Sequence, residues 1–207
     1  IGKANNSADS GVSLNISGSV MLDLLAHKDD PVAARVAEEF RQANRKSIER
    51  WGTTEMMLQG SVFHSIVPLL PAESQTLQHT WSKKMFNYFF GNEPSGVWLP
   101  EQAFDNSALE LVAKSPDNWT ILPQWVAPEG TPTSVPHKIV TPEGDITVFL
   151  YDRYLSSKIS WERAGWEFKN LIKGHNNHDK LAWLLAMDLE TFGEHGRDER
   201  EKREGPW

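Results

Sequence analysis

Two acidic residues in this 207-residue sequence each follow a short apolar run, and both are of a type that can catalyse glycoside cleavage. Glu101 follows residues 96–100, and Asp188 follows the uncharged residues 181–187. Two converging carboxyl groups can cleave a glycosidic bond: the ionised one attacks the anomeric carbon, and the protonated one gives its proton to the leaving oxygen. The sequence therefore predicts a carbohydrate site built on Glu101 and Asp188.

Parallel strands would bring the two acids together, although 87 positions separate them (188 minus 101). In α/β sheets and barrels the carboxyl ends of the parallel strands lie at one face, and that face carries the chemistry. The uninterrupted apolar run at residues 181–187 is typical of a strand that is covered on both faces. Glu101 likewise ends a short apolar strand at residues 97–99, which Pro100 stops.

Strands and helices alternate along the rest of the chain, which indicates an α/β architecture. Asp30 and Pro31 predict the start of a helix, because aspartate is a favoured cap and proline a favoured first residue. Residues 73–90 predict another helix, and its apolar face would carry Leu77, Trp81, Met85, Tyr88 and Phe89. Further strands are predicted within residues 12–16, 53–63, 119–122, 137–140 and 146–151, and the last two would form a hairpin. Further helices are predicted up to residue 25 and within residues 107–114 and 161–172.

The composition excludes several classes of protein. Hydrophobic residues make up 39% and charged residues 24%, as in a folded globular chain. A net charge of −7 would repel a phosphate backbone, so nucleic acid is not expected as a partner. The absence of cysteine excludes disulfides, thiolate zinc sites and a cysteine nucleophile. No apolar stretch approaches the roughly 20 residues that cross a bilayer, so no membrane association is expected. The length predicts one domain over residues 1–207, with a solvated tail at 197–207.

Four segments resemble conserved regions of glycoside hydrolase family 57, and they occur in the family's order. Gly-Val-Trp-Leu-Pro-Glu-Gln-Ala-Phe at residues 96–104 is similar to the third region, which holds the nucleophile. Met-Asp-Leu-Glu-Thr-Phe-Gly-Glu-His at residues 187–195 is similar to the fourth region, which supplies the general acid/base. Residues 14–19 resemble the second region, and residues 63–70 resemble the loop that brings a histidine near the bound sugar.

The resemblance implies a partial (β/α)7 barrel that acts on α-glucans by a retaining double displacement, with no required metal and no cofactor. Glu101 would be the nucleophile and Asp188 the acid/base, with their carboxyl groups roughly 5–5.5 Å apart. His64 and Trp98 would line the subsite of the reacting sugar, and Glu190 would help to orient the site. Whether the reaction is hydrolysis or glucan transfer stays open, as does the oligomeric state.

The sequence also departs from the family pattern. The first region, a His-Gln-Pro on the opening strand, is absent, as is a segment after the fourth region in which the family's fifth region and helical domain would lie. Leu189 stands where glycine is common. We therefore expect the central part of a catalytic domain, a partial barrel lacking its first strand region. Its unpaired strand edges leave the activity of the isolated fragment open. A cytoplasmic location is the expectation, although the N-terminus looks incomplete.

Two other interpretations compete with the glycosidase. A metal-dependent hydrolase would use His175 and His178, or Asp188, Glu190 and His195, as ligands; we expect the first two to be solvated in their polar loop. The second is a non-catalytic carbohydrate-binding module of the same fold, which would bind sugar without a covalent adduct on Glu101. No phosphate-binding glycine loop and no Gly-x-Ser-x-Gly elbow occurs in the sequence.

Overall fold

A computed structural model describes residues 13–115, 118–158, 160 and 184–188. Its strands form a six-stranded sheet in the order β1-β2-β3-β4-β6-β5, and β1 to β4 pair in parallel. The predicted α/β class with mostly parallel strands is confirmed. The strands are β1 (Leu14–Asn15), β2 (Met56–Gln59), β3 (Val97–Trp98), β4 (Trp119–Pro123), β5 (His137–Thr141) and β6 (Gly144–Tyr151), and the helices are α1 (Gly18–Ala26), α2 (Pro31–Trp51), α3 (Ala72–Phe90), α4 (Asn106–Ala113) and α5 (Arg153–Ser157).

The chain divides into two compact units. The first holds the described residues up to Ile121 together with Lys138–Val148, and the second holds Leu122–His137 and the described residues from Phe149 onward. That residues 1–207 form one domain stays a prediction, and the predicted tail at 197–207 lies outside the described residues. No helix in the described part of the chain has the length and apolarity needed to span a bilayer.

Helix α2 begins where the sequence predicts it. The Asp30 side chain accepts hydrogen bonds at 2.9 Å from the backbone N–H groups of Val32 and Ala33, and Pro31 is the first helical residue. These bonds satisfy two of the N–H groups that a helix start leaves without partners. Together with α1 and α3, the helix forms an apolar cluster around Ile16, Met21, Ala37 and Phe89.

Helix α1 packs directly on the loop that follows β2. A Cβ atom on Gly18 would lie 2.2 Å from Cγ2 of Val62, so only glycine allows this close approach. Val62 is itself 2% exposed and stands two residues before His64. The first helix therefore supports the loop that carries one of the predicted site residues.

The predicted apolar face of α3 is wrong at three of its five positions. Leu77, Trp81 and Tyr88 are 48%, 44% and 75% exposed. The side chains that the helix buries are Gln75, His79, Ser82, Phe86 and Phe89. The physical reason is hydrogen bonding, because the buried polar side chains have partners outside the helix. Ser82 donates to the backbone carbonyl of Gln59 at the end of β2, and Gln75 donates to the carbonyl of Leu70.

Strands β5 and β6 form the predicted hairpin. Pro142 and Glu143 alone connect them, and neighbouring strands joined by two residues run antiparallel. Alternate residues of β6, namely Ile146, Val148 and Leu150, are buried, which is the period-two pattern of a strand with one covered face.

The strand predicted at residues 181–187 is wrong over its described part. Residues 184–187 are half-buried and belong to no strand. The carbonyl of Leu184 accepts a hydrogen bond from the N–H of Asp152, and the N–H of Ala186 donates to Oγ of Ser156. The backbone of this segment thus bonds to the cap residue of α5 and to a side chain within that helix rather than to a neighbouring strand. Residues 181–183 and the predicted helix at 161–172 lie outside the described residues.

Candidate active site

Glu101 lies just beyond β3, in a short turn at Pro100–Gln102. The β3 residue Val97 and the following Leu99 are buried, whereas the Glu101 side chain is 65% exposed. The apolar strand therefore ends in a carboxylate that reaches solvent. This is the position that the sequence predicts for a catalytic acid at a strand end.

His64 lies beside this carboxylate. Its Nε2 atom is 3.1 Å from Oε1 of Glu101, and the histidine ring is about half exposed. The loop that carries the ring is held by Ser61, whose carbonyl accepts from the N–H of His64 and whose Oγ accepts from the N–H of Ser65. The structure thus brings together two of the predicted site residues, 37 positions apart in the chain.

The parallel pairing of β2 and β3 explains this contact. Gln59 is in register with Trp98, and the N–H of Gly60 donates to the Trp98 carbonyl at 2.8 Å. Because the strands are parallel, the segments that follow them leave the sheet at the same edge. Trp98, the third predicted site residue of this group, is half-buried at the end of β3.

A fourth side chain, which the sequence analysis missed, completes the group. Gln59 is 1% exposed, and its Nε2 atom lies 2.9 Å from Nδ1 of His64. The backbone carbonyl of Gln59 accepts a hydrogen bond at 2.5 Å from Oγ of Ser82, one of the polar residues on the inner face of α3. The available signal was a polar residue that ends an apolar strand, as Glu101 does.

The backbone is strained at both members of the His64–Glu101 pair. The φ angles are 59° at His64, 55° at Glu101 and 53° at Gln102, all in the left-handed region. Such a conformation costs a residue with a side chain about 1–3 kcal/mol and persists only where the surrounding structure imposes it. Strain of this kind concentrates at functional sites.

Asp188 belongs to the second unit and is exposed at the end of the described segment 184–188. Burial, the largest cause, raises the pKa of Tyr151; Arg153 opposes this, and the negative charge of Asp188 adds to it. The ring of Tyr151 meets that of Trp125 edge-on, with 5.9 Å between the centroids. Asp188 therefore lies within electrostatic reach of the Tyr151 hydroxyl. That it faces Glu101 across a sugar-sized gap stays a prediction.

The remaining predicted residues are not all described. Glu190, predicted to orient the site, lies outside the described residues, as do His175, His178 and His195 of the metal interpretation. Within the part of the chain that the structure describes, no group of three His, Asp or Glu side chains is arranged to hold a metal ion.

Comparisons with known proteins identify the family and the solved structures that this chain resembles. The family model described as "Glycosyl hydrolase family 57" matches residues 4–203. The 4-alpha-glucanotransferase of Thermococcus litoralis superposes with a TM-score of 0.68 at 18% identity, over 92% of this chain and 29% of that one. The exo-type maltose-forming amylase of Pyrococcus sp. ST04 gives a TM-score of 0.66 at 17% identity, over 92% and 32%. No curated protein matches the sequence.

The chain thus spans about a third of the length of these two solved proteins, and at such low identity the likeness establishes a common fold. The family model goes further, because it covers nearly every residue and includes all the segments that resemble conserved regions. The chain belongs to glycosyl hydrolase family 57.

Proposed function

We propose that the chain carries the catalytic residues of a retaining α-glucan-active enzyme, with Glu101 as nucleophile and Asp188 as general acid/base. The observation that carries the proposal is the exposed Glu101 carboxylate at a strand end, 3.1 Å from the His64 ring. Membership of the family supports glycoside chemistry, and two proteins of similar fold are named for glucan transfer and maltose formation.

The contact with His64 suits a nucleophile. A carboxylate has only acceptor atoms, so the histidine Nε2 must donate the hydrogen bond to Oε1. Holding one oxygen orients the carboxyl plane, which leaves the second oxygen to attack. Because attack requires alignment with the anomeric carbon, fixing this plane before the sugar binds lowers the entropic part of the barrier.

The first step forms the bond between a Glu101 oxygen and the anomeric carbon while the bond to the leaving oxygen breaks. Asp188 transfers its proton to that leaving oxygen and becomes a carboxylate. In the second step Asp188 takes a proton from a water or a sugar hydroxyl, whose oxygen bonds to the anomeric carbon as the bond to Glu101 breaks. Water gives hydrolysis, and a sugar hydroxyl gives transfer.

Trapping the covalent intermediate tests the proposal. Incubation with a mechanism-based α-glucosyl fluoride should add one glycosyl group to the chain, and peptide mass spectrometry should locate it on Glu101. Glu101→Gln should abolish labelling and lower turnover by about 10⁴-fold or more, since it removes the nucleophile. The matched control is Glu49→Gln, which makes the same change on the exposed surface of α2 and should label normally.

Two results would contradict the proposal. An adduct on a different carboxylate would show that Glu101 is not the nucleophile. Saturable binding of maltooligosaccharide without any adduct, in a chain that is folded by circular dichroism, would instead favour the non-catalytic carbohydrate-binding module.

A further inference from the structure

We propose that Gln59 is a positioning residue that fixes the tautomer of His64, so that the imidazole carries its proton on Nε2 and directs it at Glu101. The effect of this tautomer on turnover rests on the proposed function, whereas the position of the proton can be measured without any activity.

The donors and acceptors of the three side chains allow one consistent direction. The Gln59 amide nitrogen can only donate, so Nδ1 of His64, 2.9 Å away, must accept with its lone pair. A neutral imidazole that accepts at Nδ1 has its proton on Nε2. Nε2 is the atom that lies 3.1 Å from the Glu101 carboxylate, which needs a donor. Both ends of the imidazole therefore demand the same tautomer.

The orientation of the Gln59 amide follows from the cost of leaving its atoms without partners. As oriented, only the carbonyl oxygen Oε1 is buried without a hydrogen bond. The opposite orientation would turn Oε1 toward His64 and leave the NH₂ group in that buried position. Buried N–H donors without partners are rarer in proteins than under-satisfied carbonyl oxygens. The amide therefore presents its nitrogen to the histidine.

Gln59 is held rigidly enough to impose this choice. Its side chain is 1% exposed, and its backbone is in register with Trp98 inside the sheet. Its backbone carbonyl accepts a hydrogen bond from Oγ of Ser82 in α3. His64, by contrast, sits on a loop with its ring half exposed and its backbone left-handed. The buried amide is thus the fixed partner, and the imidazole adapts to it.

A neutral donor suits the nucleophile better than an ion-pair partner would. A hydrogen bond from neutral imidazole orients the carboxylate and leaves its negative charge largely available to the anomeric carbon. A positive imidazolium at the same distance would add the attraction between opposite charges, which would hold that negative charge on the carboxylate and oppose its transfer to carbon.

Nitrogen-15 NMR of the histidine ring tests the inference directly. Long-range proton–nitrogen correlations on the labelled 207-residue chain at neutral pH should give His64 an unprotonated Nδ1 and a protonated Nε2. Gln59→Glu should move the proton to Nδ1 or add a second proton there, because a carboxylate accepts and cannot donate. Gln59→Leu should lower the share of the Nε2-protonated tautomer, because the exposed Glu101 carboxylate alone then favours it. A wild-type ring protonated at Nδ1, or a ring unaffected by both substitutions, would overturn the inference.

A matched control separates positioning from packing. Gln75 is also a buried glutamine, 7% exposed, but its Nε2 donates to the carbonyl of Leu70 and not to a histidine. Gln75→Leu should leave the ring nitrogens of His64 unchanged, even if it destabilises the fold as much as Gln59→Leu does. Equal effects of the two substitutions on the His64 nitrogens would mean that Gln59 acts through folding alone.

The kinetic arm distinguishes failure of the inference from failure of the proposed function. Gln59→Leu should lower kcat on a maltooligosaccharide by roughly 10- to 100-fold with little change in KM, as expected for a misoriented catalytic group. If Glu101→Gln abolishes turnover while His64 has its proton on Nδ1, the inference fails and the function stands. If the tautomer is as stated but Glu101→Gln keeps full turnover, the function fails.

Discussion

Replacing Gly96 with alanine is expected to destabilise the protein through a defined steric contact. Gly96 is buried directly before β3, has φ = 61°, and packs against the indole of Trp119. A Cβ atom at this position would lie 2.3 Å from Cε2 of that ring. Separations below 3.0 Å require the neighbouring group to move. The substitution therefore forces either the indole or the backbone out of place.

The backbone has little freedom to absorb the contact. The carbonyl of Gly96 accepts from the N–H of Leu58, and the N–H of Ser95 donates to the carbonyl of Met56, so both residues are tied to β2. The left-handed conformation costs alanine about 1 kcal/mol, and overpacking a buried site costs about 1–3 kcal/mol more. Gly96→Ala should therefore lower the free energy of unfolding by about 2–4 kcal/mol.

Gly91→Ala is the matched control for this prediction. Gly91 ends α3 with φ = 79°, but no atom lies within 4 Å of a Cβ built there. It should cost only the conformational part, about 1 kcal/mol. Urea unfolding followed by tryptophan fluorescence measures both variants. Equal losses of stability in the two variants would refute the reasoning, since the contact with Trp119 would then contribute nothing.

Two further predictions concern stability. Burial lowers the pKa of His79 to about 4. The unfolded chain therefore binds a proton at this histidine near pH 6.5, whereas the folded chain binds it only near pH 4. The free energy of unfolding should fall by about 2 kcal/mol from pH 7 to pH 5 because of this histidine. His79→Gln should remove this contribution, and a variant with the same pH dependence as the wild type would contradict the prediction. Asp30→Ala should cost about 1 kcal/mol by thermal unfolding, whereas Asp29→Ala beside it should cost under about 0.5 kcal/mol.

Local signals in the sequence predicted the elements well where one effect dominates. Asp30 and Pro31 start α2 because capping depends on a few neighbouring atoms. The face of α3 was mispredicted because periodicity counts apolar residues only, whereas the buried surface here must also supply hydrogen bonds to the end of β2. The strand expected at 181–187 rested on apolarity alone, and its described part bonds to α5 and its cap residue instead.

The site was predicted in part for similar reasons. Glu101 could be found because a carboxylate after a short apolar strand is conspicuous, and its neighbour His64 came from the resemblance to a family. Gln59 also ends an apolar strand, but its role could not be found in this way, because that role depends on which ring nitrogen of a histidine lies 2.9 Å from its amide. Such a relation arises from the register of two strands and the path of a loop, and no spacing in the sequence encodes it.

The left-handed backbone at His64, Glu101 and Gln102 has an evolutionary consequence. Glycine or asparagine would adopt these φ angles at lower cost, so substitutions there offer an accessible route to a more robust protein. At Glu101 and His64 that route would remove the groups that we propose for chemistry. With the proposed roles, these positions lie on a stability–activity trade-off, and thermostabilising screens without a turnover selection should discard the proposed catalytic groups.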